Sequence, residues 1–547
     1  MKFRSFLLNL SLLLLGAFLF AICQPNELFP EGLGFLAFFA LIPYFVLVSR
    51  VSIKTSILWG GVYGAVAHMF LVFWLLDFSL PAFLAIGFLY FCFFAILTPL
   101  LVLVKKAYNE KAYLVQALLY LAYEFIKTSG FFGFSYGVLG YSQWKFLPLL
   151  QIASLFGVWA VSALLIFPAS FFASFFVKIL EEKKIKTEAY SVKTCIKNFF
   201  EFCFSKKLFI ISYFAFLVLS LLLPLIKVKQ ANQVYKVALI QPNSDPWKSG
   251  LENYGRDLDE LIELSTKALA SDKNISLVVW PETAFIPRIK WHYRFRLDER
   301  FFALVDRLLN FLDEQTVPFI VGNDEALFDQ SLAGTSDDLE KGRVDYNAAL
   351  LFVPQKNVRP PEPEIYYKQK LVPLTEGFPF KKSFPKLYKL LLKADTHIYE
   401  NGKKPTVFDV EGLKFSVPIC FEDNFGYIAR DFAKSGSQCL INISNDAWAN
   451  SLACHLQHLS TSVFRAVETG LPVLRSTANG LTCYINENGK IVAKLPSFEK
   501  GFLVVDCEVP QKSQTLYTKL GDILGWAFVL IGGFLLVLAI IKIKIKE

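Results

Sequence analysis

The sequence predicts an α-helical transmembrane domain of about eight spans joined to an α/β sandwich domain, on three observations. Over 547 residues the chain is 54% hydrophobic and 16% aromatic with a mean hydropathy of +0.43, too apolar for an ordinary soluble protein. The apolar residues concentrate in the first 226 and the last 26 residues. Between them, short apolar runs alternate with loops and helically spaced segments, the pattern of a layered α/β fold.

Apolar runs long enough to cross a hydrocarbon core of about 30 Å occur near residues 5–23, 31–49, 56–77, 81–104, 112–128, 149–177, 208–226 and 522–541. In the fifth, Glu124 and Lys127 interrupt the run, and the aromatic, Gly-rich stretch from Phe131 to Tyr141 follows. Orientation follows from charge in the short loops: Lys2 and Arg4, Arg50 and Lys54, and Lys105, Lys106 and Lys111 mark cytoplasmic ends. Eight Lys against four Glu between residues 178 and 207, and Lys542, Lys544 and Lys546 at the other end, fall on the same side. The expected arrangement has both termini inside the cell and three parts: a seven-span domain over 1–226, an extracytoplasmic domain over 227–521, and a last span with a basic tail over 522–547. Lys2 and Arg4 ahead of an apolar run also describe a secretory signal, but Ile22 rather than a small residue precedes Cys23, so the first span is expected to stay uncleaved.

A formal charge of +9 raises the question of nucleic acid, yet the excess Lys lies between spans, where it sets topology, and no nucleic-acid partner is expected. Nine Cys with no CxxC pair and no metal-ligand spacing support neither a disulfide framework nor a zinc site; no metal and no cofactor are expected.

Buried strands are expected at 237–241, 277–280, 319–322, 348–353, 415–419, 439–444, 472–475 and 502–506, with helices at 256–270 and 299–314 between them. Three residues at or near strand ends carry chemistry. Glu282, just beyond the run Leu277–Trp280, lies where sites gather in α/β sheets and where Trp280 and the strand would strip water from a general base; its plainer reading is a turn cap. Lys368 follows a Pro-rich loop, and it or Lys370 reads either as a surface charge or as the donor to an oxyanion. Cys420 ends the run Phe415–Ile419 with two carboxylates close behind, and reads either as a small buried hydrophobe or as a nucleophile.

Order and context choose among these readings. A Glu, a Lys and a Cys, 86 and 52 residues apart, resemble the triad of the nitrilase or carbon-nitrogen hydrolase superfamily over residues 236–507. With the spans, the whole chain resembles the bacterial apolipoprotein N-acyltransferase family. Trp280-Pro-Glu-Thr283, Lys368-Gln-Lys-Leu-Val-Pro373, Cys420-Phe-Glu-Asp423, Asn445-Asp-Ala-Trp448 and Arg475-Ser-Thr-Ala-Asn-Gly480 carry that resemblance. It implies a nitrilase-like four-layer α-β-β-α sandwich with Glu282 as base, Lys368 as oxyanion stabiliser and Cys420 as nucleophile. Glu376, Glu422, Trp247 and Phe421 are implied to support the site or bind substrate. It further implies a phospholipid acyl donor, with phosphatidylethanolamine expected, a diacylated apolipoprotein as acceptor, a monomer, and the bacterial inner membrane. Thr375 stands where Gly usually precedes the supporting Glu, Phe421 replaces a common Tyr, and Ala449-Asn450 replaces Phe-Gly, which leaves loop geometry open. Asp446 and Arg475 are expected to be structural.

Overall fold

A computed structural model describes residues 2–185, 192–226, 232–245, 248–333, 339–393, 397–510 and 515–546. The chain forms two compact units: Met1–Val228 with Ser451–Ser460 and Leu520–Glu547, and Lys229–Asn450 with Thr461–Lys519.

In the first unit every expected span position contains helix, and five stretches are long and apolar enough to cross a membrane: Phe3–Ile22, Leu80–Lys127, Val158–Glu181, Lys207–Leu225 and Ile523–Ile545. The stretch Leu80–Lys127 is two helices, Leu80–Tyr108 and Ala112–Lys127, joined by a tight turn at Asn109–Lys111. Three expected spans are broken, the region 56–77 between the helices Ile53–Leu71 and Leu75–Phe78. The region 31–49 becomes a turn at Gly34–Leu36 followed by the helices Ala37–Ala40 and Ile42–Arg50, and the region 149–177 breaks at Gly157, whose φ of +69° ends the turn Ala153–Phe156 before the helix Val158–Ile185 begins. A helix not expected from the Lys-rich loop covers Val192–Ser205; Phe202 packs with Phe171 and Phe175, and Phe199 and Cys203 add to that cluster.

Close packing explains the short helix Ile53–Leu71. A Cβ on Gly60 or Gly64, one turn apart, would collide with the carbonyls of Phe94 and Tyr90, so only glycine lets this helix approach Leu80–Tyr108 so closely.

Glu124 and Lys127, which looked like interruptions, are both buried and hold irregular backbone in place. Glu124 Oε1 accepts from the Leu139 amide at 2.8 Å, and Lys127 Nζ donates to the Tyr136 carbonyl at 2.9 Å while lying over the Tyr90 and Tyr123 rings. Two backbone groups of the irregular segment after Lys127 are thus satisfied by side chains one helical turn apart.

Among the described residues the second unit contains twelve strands, β1 (Asn232–Gln241), β2 (Ile275–Val279), β3 (Phe319–Phe328), β4 (Arg343–Phe352), β5 (Glu364–Tyr367), β6 (Phe408–Val410), β7 (Leu413–Ser416), β8 (Cys439–Ser444), β9 (Val473–Thr477), β10 (Cys483–Ile485), β11 (Ile491–Lys494) and β12 (Gly501–Pro510). They form two six-stranded sheets, ordered β12-β1-β2-β3-β4-β5 and β11-β10-β9-β8-β7-β6. Read from β12 and from β6, both sheets show the same succession of pairings: one antiparallel, two parallel, two antiparallel. The Ser476 hydroxyl on β9 bonds the carbonyls of Ile240 and Val279, which ties the two sheets at their centres.

The amphipathic helices Leu251–Ser271 and Glu299–Asp313 cover the first sheet. Leu258, Leu261, Leu304, Leu308 and Leu312 bury their apolar stripes against Val278, Trp280 and Val321. Trp280 therefore faces this helical layer, where its indole donates to Ser265 Oγ at 2.8 Å, rather than lying over Glu282 as expected.

Replacing Lys127 by Met leaves the Tyr136 carbonyl without its donor and the Glu124 charge without its neighbour. The expected cost is about 3–5 kcal/mol, measured as a lower midpoint of thermal unfolding for the detergent-solubilised protein; an unchanged midpoint would refute this role.

Candidate active site

β2 is a parallel strand of the first sheet and β7 and β8 are parallel neighbours in the second, and the chain leaves each of them into a loop that carries a functional group. This is where layered α/β folds place their sites. Glu282 follows β2, Cys420 follows β7, Asn445 follows β8, and Lys368 follows the edge strand β5.

Glycine sets the first of these positions. A Cβ at Gly322 on β3 would collide with the Pro281 carbonyl and crowd the backbone of Glu282 and Thr283, so the turn carrying Glu282 can lie directly against the strand. Thr283 itself adopts φ +46°.

Lys368 is fully buried, which removes the surface-charge reading. Its Nζ donates to Glu282 Oε1 at 2.9 Å and to Glu376 Oε1 at 2.8 Å. Burial alone would strip its proton; the two carboxylates outweigh burial and hold the ammonium well above the usual lysine range. Glu376 is fixed in turn, because Oε2 accepts from the Val372 amide at 2.9 Å. In the turn before it the left-handed residue is Leu374, at φ +68°, so Thr375 needs no glycine-like backbone and the departure at that position is harmless.

Cys420 sits at φ +48°, a left-handed conformation that costs a non-glycine residue roughly 1–2 kcal/mol. The strain is held by neighbours: Asn442 Nδ2 donates to the carbonyls of Pro418 and Cys420, and the Ile419 amide donates to Glu422 Oε2 at 2.8 Å. Burial first, and then the Glu282 charge, push the Cys420 thiol well above the ordinary range, while Lys368 pulls the other way. The resting sulfur is a neutral thiol that needs a base.

Glu422 joins the nucleophile turn to the lysine segment. It is fully buried and accepts from the amides of Ile419, Gln369 and Lys370 and from the Tyr366 hydroxyl, at 2.6–3.1 Å. Burial pushes its carboxyl up to about 7, against the pull of those donors. Behind the turn, buried Arg475 pairs with Asp423 and donates to Ser462 Oγ at 2.5 Å and Asp446 at 3.4 Å, the structural role expected of Arg475 and Asp446.

The fold thus brings Glu282, Lys368, Glu376, Cys420 and Glu422 together. Phe421 is buried with its ring edge-on to Phe425 at 5.0 Å and offers no hydroxyl. Trp247 lies outside the described residues. Three contributors were given no role from the sequence, although Asn445 stands in one of the motifs that carry the resemblance. Asn347 Nδ2 donates to Glu282 Oε1 at 2.7 Å, the Asn445 amide donates to Glu282 Oε2 at 2.8 Å, and Tyr366 holds Glu422. The available signal for Asn347 was a lone amide at the start of the apolar run of β4.

The arrangement supports nucleophilic acyl chemistry: a thiol, a carboxylate to accept its proton, and a cation to meet a developing oxyanion.

The family profile described as carbon-nitrogen hydrolase matches residues 236–515, and that of the apolipoprotein N-acyltransferase N-terminal domain matches residues 15–171. Apolipoprotein N-acyltransferase 1 of Treponema denticola is 43% identical over 529 residues, covering 96% of this chain and 95% of its own length. The protein of the same name from Treponema pallidum is 42% identical, covering 98% and 96%. The apolipoprotein N-acyltransferase of Borreliella burgdorferi is 27% identical, covering 91% and 89%.

The opposing influences on Cys420 have a measurable sign. Lys368 carries the charge that favours the thiolate, so Lys368→Met should slow labelling of Cys420 by iodoacetamide at pH 7.5 relative to the wild type, followed by peptide mass spectrometry. Faster labelling in Lys368→Met would contradict this electrostatic arrangement.

Proposed function

Because the chain belongs to the apolipoprotein N-acyltransferase family, we propose that it moves an acyl chain from a membrane phospholipid, through a thioester on Cys420, to the N-terminal amine of a diacylglyceryl-cysteine lipoprotein. The observation that carries this reading is the buried contact of Lys368 with both Glu282 and Glu376 beside a neutral Cys420 thiol.

In the first half-reaction Glu282 takes the thiol proton, and sulfur attacks the sn-1 ester carbonyl of the donor. A carbon–sulfur bond forms and the Lys368 ammonium meets the oxyanion. Collapse breaks the ester carbon–oxygen bond, and Glu282 returns the proton to the departing alkoxide, which leaves as lysophospholipid. In the second half-reaction the lipoprotein amine attacks the thioester. The carbon–sulfur bond breaks, Glu282 accepts a proton from the nitrogen, and the thiol is restored as the amide forms. Glu376 keeps Lys368 in place, and Glu422 keeps the nucleophile turn on the lysine segment.

The donor is taken to be phosphatidylethanolamine and the enzyme a monomer. Its place is the bacterial inner membrane, with about eight spans, both termini cytoplasmic and the catalytic unit outside the cytoplasm; the Lys-rich short loops support that orientation. Both substrates are lipid-anchored, and carrying an acyl chain through water would cost about 0.8 kcal/mol per exposed methylene. The segment Phe378–Lys393 suits such a setting. Phe380, Phe384, Leu387, Leu390 and Leu392 are exposed beside Lys381, Lys386 and Lys389, and no residue of the helix Pro385–Lys393 is buried. In this reading the segment Phe378–Lys393 is a lid that dips into the lipid surface.

Incubating the purified full-length protein with phosphatidylethanolamine alone should add one acyl mass to the Cys420 peptide, absent in Cys420→Ala. A diacylated lipopeptide should then discharge it to a triacylated product. Discharge to free fatty acid in the presence of lipopeptide would favour a membrane-tethered amidase, and no adduct in the wild type would overturn the acyltransferase reading.

A further inference from the structure

We infer that Asn347 is a positioning residue of this site: it holds Glu282 and Glu376 as a pair of charged acceptors and leaves Glu282 Oε2 to receive the Cys420 proton. The inference rests on the triad reading above and adds a residue to it.

The geometry begins with a charge imbalance. Glu282 and Glu376 share a single cation, since Lys368 Nζ lies 2.9 Å from Oε1 of one and 2.8 Å from Oε1 of the other. Two carboxylates this close repel each other, and one ammonium compensates only one of them. Asn347 supplies the second positive pole without a second charge. Its Nδ2 is 2.7 Å from Glu282 Oε1 and 3.5 Å from Glu376 Oε1, so it stands between the same two oxygens as the ammonium.

The amide is locked in that sense. Asn347 is 2% exposed, and its Oδ1 meets no donor among the described residues. Flipping the amide would satisfy nothing and would aim its oxygen at two carboxylates. The backbone fixes the same residue, because the Asn347 carbonyl accepts from the Lys368 amide at 2.9 Å and β4 pairs it opposite Asp324 on β3. Asn347 thereby sets the place of Lys368 as well as the orientation of the base.

The donor pattern then assigns the two oxygens of Glu282. Oε1 accepts from both Lys368 and Asn347, while among the described residues Oε2 accepts only from the Asn445 amide, at 2.8 Å. A proton arriving on Oε1 would displace one of two donors, whereas Oε2 has a lone pair to spare. The step balances simply: the thiol proton moves to Oε2, and the sulfur pair it leaves behind forms the bond to the acyl carbon. The other titratable groups facing this cluster are Cys420, Glu422, Asp324, Tyr399 and Asp446.

The test uses the full-length protein and the rate of acyl-adduct formation on Cys420 from phosphatidylethanolamine across pH 5–9. Asn347→Leu keeps the volume and removes the donor. It should slow the reaction about 10- to 100-fold, the loss carried by one hydrogen bond to a charged group, and move the acid limb of the profile to higher pH, because a carboxylate with fewer donors takes up a proton more readily. Asn347→Asp should be slower still at pH 8 and regain rate relative to Asn347→Leu as pH falls, because a protonated carboxyl can donate where the amide did. A uniform loss with the profile unmoved in both variants would reduce Asn347 to a structural residue, and an unchanged rate would remove it from the site. Adduct formation by the wild type tests the triad separately. If Asn347→Leu does not fold, the pH response of Asn347→Asp decides alone.

Discussion

A single buried ammonium shared by a buried carboxylate, Glu282, and a partly exposed one, Glu376, is the interaction on which the second unit's chemistry depends. Lys368 reaches Glu282 on the turn after β2 and Glu376 on the turn after β5, so one side chain fixes two loops. Buried ion pairs are not strong sources of stability, because desolvation offsets most of the attraction. Their value here is positional. Once Lys368 is buried, each carboxylate has one place to be, and the thiol of Cys420 feels all three charges from fixed directions.

A second junction repeats the device with different chemistry. Among the described residues Glu422 forms no ion pair and is held by amides from both sides of the site, together with the Tyr366 hydroxyl. It connects the turn bearing the nucleophile to the residues that follow Lys368, so the relative placement of sulfur and ammonium depends on backbone donors rather than on long flexible side chains. The strained φ of Cys420 is tolerable because this junction and the amide of Asn442 over-determine the turn.

Much of this was legible in the sequence. Central strands such as β3 and β8 announce themselves as continuous apolar runs because both faces are covered, and Glu282 and Cys420 each follow such a run directly. The strands that escaped, β5, β6, β10 and β11, have three or four residues each, too few to establish a period. Asn347 escaped because an amide inside a strand is silent until the fold places two carboxylates against it. Trp280 was misread for a simple geometric reason: successive strand residues point to opposite faces, and its face is the helical one. In the first unit the charge pattern hid the helix Val192–Ser205, whose aromatic residues find partners only after the chain has folded back on Phe171 and Phe175. Glu124 and Lys127 read as breaks in a span because their function, satisfying the carbonyl and amide of an irregular segment, belongs to tertiary structure alone.

The neutral state of the Cys420 sulfur has a consequence for durability. Peroxides and other oxidants attack the thiolate far faster than the thiol, and the first oxidation product leads on to irreversible acids. A sulfur kept protonated by its surroundings until a carbonyl arrives is shielded from that chemistry while idle.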